Sequence, residues 1–282
     1  MITLEQITGR IKELAPLPPT ATRLAAVLAT PTYNIDECVE VVRYDQALTL
    51  AIIKYVNSAF AAAARPIADI KEAVIRLGGG RILRDLLASH LRGNLTVELP
   101  AYGYKESDLW RHSVAAAVAV EILGRHAALP PAGLSFTAAL LHDIGKLVLA
   151  RAAPRNDMEA IWKKVSVEKY TCEAAEKTVL GFSHAEVGGA VLTAWALPAG
   201  MATSVANHHA PSDTGDPMTD CVMAANLVAR SIGEGIGHEG MSVGADAGVG
   251  RRLGLSRDKF ELVCAESRCR MLDVTSVFKN GD

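Results

Sequence analysis

The run LLHDIGKLVLA, residues 140–150, places an ionisable His142–Asp143 pair inside an otherwise apolar stretch that reads as a buried helix. Burying an unpaired charge is costly, so a metal ion or compensating polar groups must reach the pair from elsewhere in the chain. That demand restricts the chain to folds in which several elements converge on one interior point. Helix signals dominate the remainder. Candidate caps recur at capping-box spacing, with Thr3 followed by Gln6, Asn34 by Glu37, Asp69 by Glu72 and Ser183 by Glu186. Between them apolar residues follow the helical period, as in Leu48, Ile52, Tyr55 and Val56, or Val74, Leu77, Ile82 and Leu86. No alternating strand pattern and no internal repeat is visible. Half of the 282 residues are hydrophobic and only 5% are aromatic, a mix that suits helix packed on helix. An all-α fold is expected.

The five cysteines are odd in number and form no CxxC pair, so they read as reduced core residues. A net charge of −2, with lysine and arginine scattered, carries no phosphate-backbone footprint, and no nucleic-acid partner is expected. No apolar stretch approaches bilayer length, and MITLEQITGRIKEL lacks the pattern of a signal peptide. The expectation is a soluble, cytoplasmic protein with no membrane partner.

Breaks fall at APLPPT (15–20), ATPTYN (29–34), ARPIAD (64–69), LGGG (77–80), ELPAYGY (98–104) and ALPPAG (128–133). ELPAYGY is the best internal boundary, because seven of the eight histidines follow it. It divides the chain into an N-terminal helical lobe, 1–100, and a C-terminal lobe, 101–282, that holds the polar site. Eight glycines between Ile232 and Gly254 predict a mobile surface loop without regular helix. A last amphipathic helix is expected from Arg257 towards Phe278.

Metal sites need imidazole and carboxylate ligands converging from several elements. Asp108 and His112 share a helix face at i and i+4. His142 and Asp143 are adjacent, about 100° apart around a helix, with Lys146 one turn beyond. His184 follows the cap Ser183, and His208–His209 end another helix. The alternative is a hydrogen-bonded histidine network that only rigidifies a core. His90, His126 and His238 match no pattern.

The order His112, His142–Asp143, His184, His208–His209 resembles the HD superfamily of metal-dependent phosphohydrolases. The opening LAPLPPTATRLAAVLATPTYNIDECVEVVRYDQALTLAIIKYVNSAF is similar to that of its HDOD branch, the HD-related output domain of bacterial signalling proteins. Asp45 before Ala47-Leu48-Thr49, then Val56-Asn57-Ser58-Ala59, and IKEAVIRLGGGRILRDLL (70–87) carry the likeness. The resemblance implies a two-lobed, all-helical HD-like bundle acting as a regulatory output module. Its signalling protein partner is expected at the N-terminal lobe. It also implies metal ligands at His112, His142, Asp143, His184, His208 and His209. The imidazole-rich set favours Fe, Mn, Zn or Ni over Mg or Ca, with room for two ions. In the enzymatic alternative, a nucleotide or cyclic-dinucleotide phosphohydrolase, Asp143 and Lys146 are the catalytic candidates. Lys146 would there neutralise a phosphorylated small-molecule ligand. Two departures weaken the enzymatic reading. Asn226 stands where active HD enzymes carry a final aspartate, with Asp220 on a different helix face. The glutamate and Gly-Tyr-Pro loop of the HD-GYP branch are absent after His208–His209.

Overall fold

Thr3 and Ser183 each open a helix through a reciprocal capping box, with Gln6 and Glu186 respectively returning the bond. Asp69 caps through the Glu72 N–H, whereas Asn34 reaches the Asp36 N–H, one residue short of the box spacing. The computed structural model describes residues 3–14, 17–30, 32–59, 67–127, 132–210, 215–240 and 247–279. Parts of the sequence breaks (15–16, 31, 64–66 and 128–131), Pro211–Ser212 and the middle of the glycine-rich segment (241–246) lie outside the described residues.

Sixteen α-helices are described: α1 (Leu4–Thr8), α2 (Pro19–Leu28), α3 (Ile35–Val42), α4 (Gln46–Ala59), α5 (Ile70–Leu77), α6 (Gly79–Leu95), α7 (Asp108–His126), α8 (Ala132–Leu141), α9 (Ile144–Ala152), α10 (Arg155–Ser166), α11 (Cys172–Leu180), α12 (His184–Ala194), α13 (Ala199–Ala206), α14 (Pro217–Ser231), α15 (Ala247–Arg252) and α16 (Arg257–Lys279). No strand occurs among the described residues. Among the described residues, extended pairing is limited to the single bridge Leu99–Tyr104 in the ELPAYGY segment. The all-α expectation holds. No helix among the described residues is long and apolar enough to cross a membrane.

α7 is the central element. A helix that is apolar around its whole circumference must be enclosed, and α7 buries Val114, Ala115, Ala116, Ala117, Val118, Ala119 and Val120 between α6, α8, α14 and α16. Its alanines leave little bulk, which lets these neighbours approach closely. The buried apolar residues form one cluster running from Ile7 to Met271. Helices on both sides of ELPAYGY share it, with α6 against α7 and α8, and α1 against α12.

The glycine-rich segment departs from the expected mobile surface loop. Its described parts include a 3-10 turn, Gly237–Glu239, and helix α15. Glu234 and Glu239 within it are buried. Glycine makes this possible at Gly235, whose φ of +56° and contact with the α7 backbone leave no room for a Cβ.

A second close approach fixes the helix that follows the His–Asp pair. Gly145 in α9 packs on α12 so tightly that a Cβ would collide with the His184 carbonyl and stand 2.7 Å from Gly188 N. Gly145→Ala should therefore lower stability by about 1–3 kcal/mol, the usual cost of overpacking. Gly200→Ala in α13, where nothing lies within 4 Å of the added carbon, should be neutral or stabilising by up to about 1 kcal/mol. Thermal unfolding of the two variants checks the contrast.

Candidate metal centre

α8 ends at Leu141 and α9 begins at Ile144, so His142 and Asp143 form a junction between helices rather than the middle of one. Asp143 sits at the N-cap of α9 with φ −98° and ψ 9° and makes no capping bond. The break frees its carboxylate from the helix surface and turns it inward, where both residues are fully buried. His112 comes from α7, His184 from the first turn of α12, and His208–His209 from the turn just beyond α13. All six residues expected from the sequence thus meet at one place. Asp108 does not join them; its carboxylate accepts from the Lys105 N–H.

Four of the five imidazoles are oriented by a bond on the outer nitrogen. His112 Nδ1 lies 3.0 Å from the Glu234 carbonyl, His142 Nδ1 2.7 Å from that of Ala139, and His208 Nδ1 2.7 Å from that of Val205. A carbonyl only accepts, so Nδ1 of His142 and of His208 carries the proton and their Nε2 atoms keep their lone pairs. His184 is held by Glu176, whose Oε2 accepts from the His184 main-chain N–H at 2.8 Å and from Nδ1 at 2.6 Å. A carboxylate behind a ring nitrogen is the arrangement that raises the basicity of a metal-ligating histidine.

The inward nitrogens surround Asp143. Oδ2 lies 3.5 Å from Nε2 of both His112 and His142. Oδ1 lies 3.3 Å from His184 Nε2 and 3.8 Å from His208 Nε2. Ligand atoms about 2.1 Å from one ion stand roughly 3.0–3.5 Å apart, so these spacings suit coordination. The two carboxylate oxygens face different histidine pairs, which suits a bridging role between two ions. His209 Nε2 adds to the second group, 3.0 Å from His184 Nε2. Two triads within ligating reach follow, His112–His142–Asp143 and His184–His208–His209.

The decisive observation is what these atoms lack. His142 Nε2, His208 Nε2 and Asp143 Oδ1 are buried without a hydrogen-bond partner. Buried polar atoms left unsatisfied are rare and cost about 1–3 kcal/mol each. Three converging acceptors with no donor between them fit a cation. His112 differs, since it faces an oxygen at both ring nitrogens: the Glu234 carbonyl at Nδ1 and, at 3.2 Å, Asn226 Oδ1 at Nε2. Asp220 is committed elsewhere, to a two-pronged bond with Arg252 at 2.6 and 2.7 Å.

Lys146 stands one turn into α9, but it pairs with Asp143 rather than stacking above His142. Its ammonium donates to Asp143 Oδ2 at 2.9 Å and to the Tyr104 hydroxyl at 3.2 Å, and it lies 2.6 Å from Glu239 Oε1. Glu239 in turn meets Arg230 Nη1 at 3.1 Å. Glu176, Glu234, Glu239 and Arg230 were not singled out from the sequence. Glu176 precedes His184 by eight residues on another helix, a spacing that signals nothing. Glu234 and Glu239 were hidden in the glycine-rich segment, where alternation of acidic residues with glycine was the available clue.

A cleft of about 530 Å³ opens onto this cluster, with His208, His209, Asn226, Arg230 and Glu239 on its wall. Met223, Leu227, Val249, Leu253 and Phe260 make its outer part apolar.

The family model for the HDOD domain matches residues 14–211. The chain belongs to the HDOD family. A curated relative, an uncharacterised protein of Treponema pallidum (strain Nichols), is 27% identical over 235 residues. The match takes in 80% of this chain and spans 44% of that protein's length, less than half. Crystal structures share the fold. An HDOD domain protein with unknown function from Geobacter sulfurreducens superposes with a TM-score of 0.68 at 24% identity, covering 97% of this chain and 96% of that one. A Marinobacter aquaeolei VT8 protein, provisionally assigned to signal transduction, gives 0.73 at 23% identity over 98% of this chain and 61% of that one. A provisionally assigned phosphohydrolase from Shewanella amazonensis SB2B gives 0.58 at 19%, covering 93% and 98%.

Burial governs the protonation of this HDOD pocket. Loss of hydration pulls His142 down to about 4, with the Asp143 carboxylate opposing. The same cause lowers His112, and it holds His208 and His209 well below the usual imidazole value. His184 is the exception. Burial pulls it down, but the charge and hydrogen bond of Glu176 outweigh this and raise it. Most of the cluster is therefore neutral and ready to ligate. In the metal-free protein the unfolded chain binds protons near pH 6.5, whereas folded His142 binds them only near 4. Stability must then rise with pH across that window and fall on acidification. The melting temperature of chelator-treated protein should drop from pH 7 to pH 4.5, with a shallower slope in His142→Gln.

Proposed function

We propose that this chain is a cytoplasmic HDOD output module of a bacterial signalling or regulatory system, and that its HD-derived pocket holds divalent transition metal. The observation that carries the reading is the set of buried, unpartnered acceptors, His142 Nε2, His208 Nε2 and Asp143 Oδ1, facing a common centre. His112, His142 and Asp143 would hold one ion; His184, His208 and His209 would hold a second, with Asp143 bridging. Fe, Mn, Zn and Ni suit this imidazole-rich donor set. Asn226 offers a neutral amide where hydrolytic relatives carry a carboxylate, which favours a regulatory module over an enzyme. The partner would be another signalling protein docking on the N-terminal lobe, where Tyr44, Leu50 and Ile75 are exposed.

A second reading, phosphohydrolase, draws support from the cleft that leads to His208 and His209. A bound divalent ion supplies Lewis acidity and brings a water's pKa into the neutral range. In that reading the apolar cleft wall would hold the body of a nucleotide, and His142 and His208 would keep their inward nitrogens unprotonated through the outer bonds described above.

Elemental analysis by plasma mass spectrometry, on protein purified without a His-tag or chelator, decides the metal. The expected result is near-stoichiometric metal, absent from a His142→Ala/Asp143→Ala variant whose circular dichroism remains helical. No metal after anaerobic reconstitution would overturn the metal-loaded reading. Metal-loaded protein should leave phosphodiesters intact; hydrolysis lost in the double variant would replace the module with the enzyme.

A further inference from the structure

Four charged side chains of alternating sign run from the centre to the cleft: Asp143, Lys146, Glu239 and Arg230. Lys146 Nζ is 2.9 Å from Asp143 Oδ2 and 2.6 Å from Glu239 Oε1, and Glu239 Oε2 is 3.1 Å from Arg230 Nη1. One carboxylate therefore spans an ammonium and a guanidinium. Its position is what matters. Glu239 and Arg230 line the cleft, while Lys146, 2% exposed, lies on the far side of Glu239. Glu239 stands between Lys146 and anything that enters.

We infer that Lys146 and Arg230 form an anion site for the phosphoryl group of a small organic phosphate, and that Glu239 is an internal stand-in occupying it. The chemistry is that of phosphate recognition: a compact ammonium beside a planar fork of donors, both largely withdrawn from water. A carboxylate presents two oxygens at the spacing that two phosphoryl oxygens would use. The surroundings match such a ligand. Met223, Leu227, Val249, Leu253 and Phe260 offer apolar surface for its organic body, and His208 and His209 border the same cleft.

Release of Glu239 needs little rearrangement. It is the last residue of the 3-10 turn Gly237–Glu239, and Gly240 follows with φ +58°. The turn itself is anchored by the neighbouring residue, since His238 packs edge-on against Trp162 with ring centroids 5.0 Å apart. The side chain can swing into the cleft while its backbone stays. Lys146 keeps Asp143 as a counter-charge when this happens, so the site survives loss of its internal anion. In the resting protein the outcome is a cleft closed to phosphate at its inner end. A ligand opens it by outcompeting a tethered carboxylate.

The site lies in the cleft of the proposed metal centre, but its test runs on metal-free protein, so the two readings fail separately. Calorimetric titration of the chelator-treated full chain with pyrophosphate is the experiment, with thermal melting as the check on folding. Glu239→Gln should bind pyrophosphate at least tenfold more tightly than the unaltered protein, and adding Arg230→Gln should abolish the gain. Glu239→Asp, whose shorter carboxylate cannot span both cations, provides a second variant and should gain an intermediate amount. Unchanged affinity in a folded Glu239→Gln or Glu239→Asp would overturn the inference. A gain that persists with Arg230→Gln would also overturn it, by placing the binding elsewhere.

Discussion

Burial of the Asp143 carboxylate is the constraint around which the C-terminal part of this protein is organised. Withdrawing a carboxylate from water costs several kcal/mol, and only close counter-charges and hydrogen bonds repay that loss. Lys146 provides the first counter-charge from the next turn of α9, and it brings the same difficulty with it. Glu239 answers Lys146 and Arg230 answers Glu239, so α9, the Gly237–Glu239 turn and α14 are joined by one chain of ion pairs. Burial drives Asp143 upward, but His142, Lys146 and the neighbouring imidazoles together hold it well below the ordinary carboxylate value. Removing Lys146 leaves the buried Asp143 carboxylate without its ammonium partner.

The imidazoles are set by a second layer that is mostly backbone. Carbonyls of Ala139 and Val205 come from the helix ends immediately before His142 and His208, which makes those orientations a local consequence of ending a helix with histidine three residues on. His112 and His184 depend instead on distant groups, the Glu234 carbonyl and the Glu176 carboxylate. Glu176 is itself fixed by the Tyr102 hydroxyl at 2.8 Å, which ties the ELPAYGY segment to the centre. Donors on the outside and bare acceptors inside make a pocket that is electrostatically incomplete alone. Asn226 adds a neutral amide oxygen at its edge, beside His112.

Much of the helical framework was legible in the chain. Caps at Thr3, Asp69 and Ser183 work through local hydrogen bonds between residues three apart, so spacing alone reveals them. Periodicity located the helices for the same reason, because the apolar stripe has to face the core whatever lies opposite. The histidine order and the His–Asp doublet were likewise readable, since ligand identity is a property of residue type. The break between α8 and α9 was not. LLHDIGKLVLA has no glycine or proline at residues 142–143 and reads as continuous helix, and the carboxylate's demand for a shared interior point overrode local preference. The glycine-rich segment misled in the opposite direction. High glycine content signals conformational freedom, but at Gly235 that freedom lets the backbone lie against α7 and deliver Glu234 and Glu239 to buried positions.

Residue types and their order by themselves determined the all-helical class, the six residues with ligating chemistry and the absence of an aspartate at position 226. These depend on local backbone energetics and on the chemistry of single side chains. Only the tertiary structure decided which nitrogen each histidine turns inward, that Glu176 supports His184, and that Lys146 is shielded by Glu239. Those outcomes depend on distances between residues as far apart as 8 to 122 positions along the chain. Such distances are set by how α7, α9, α12 and α14 pack, and helical packing leaves no periodic trace in sequence of which polar atoms will face one another.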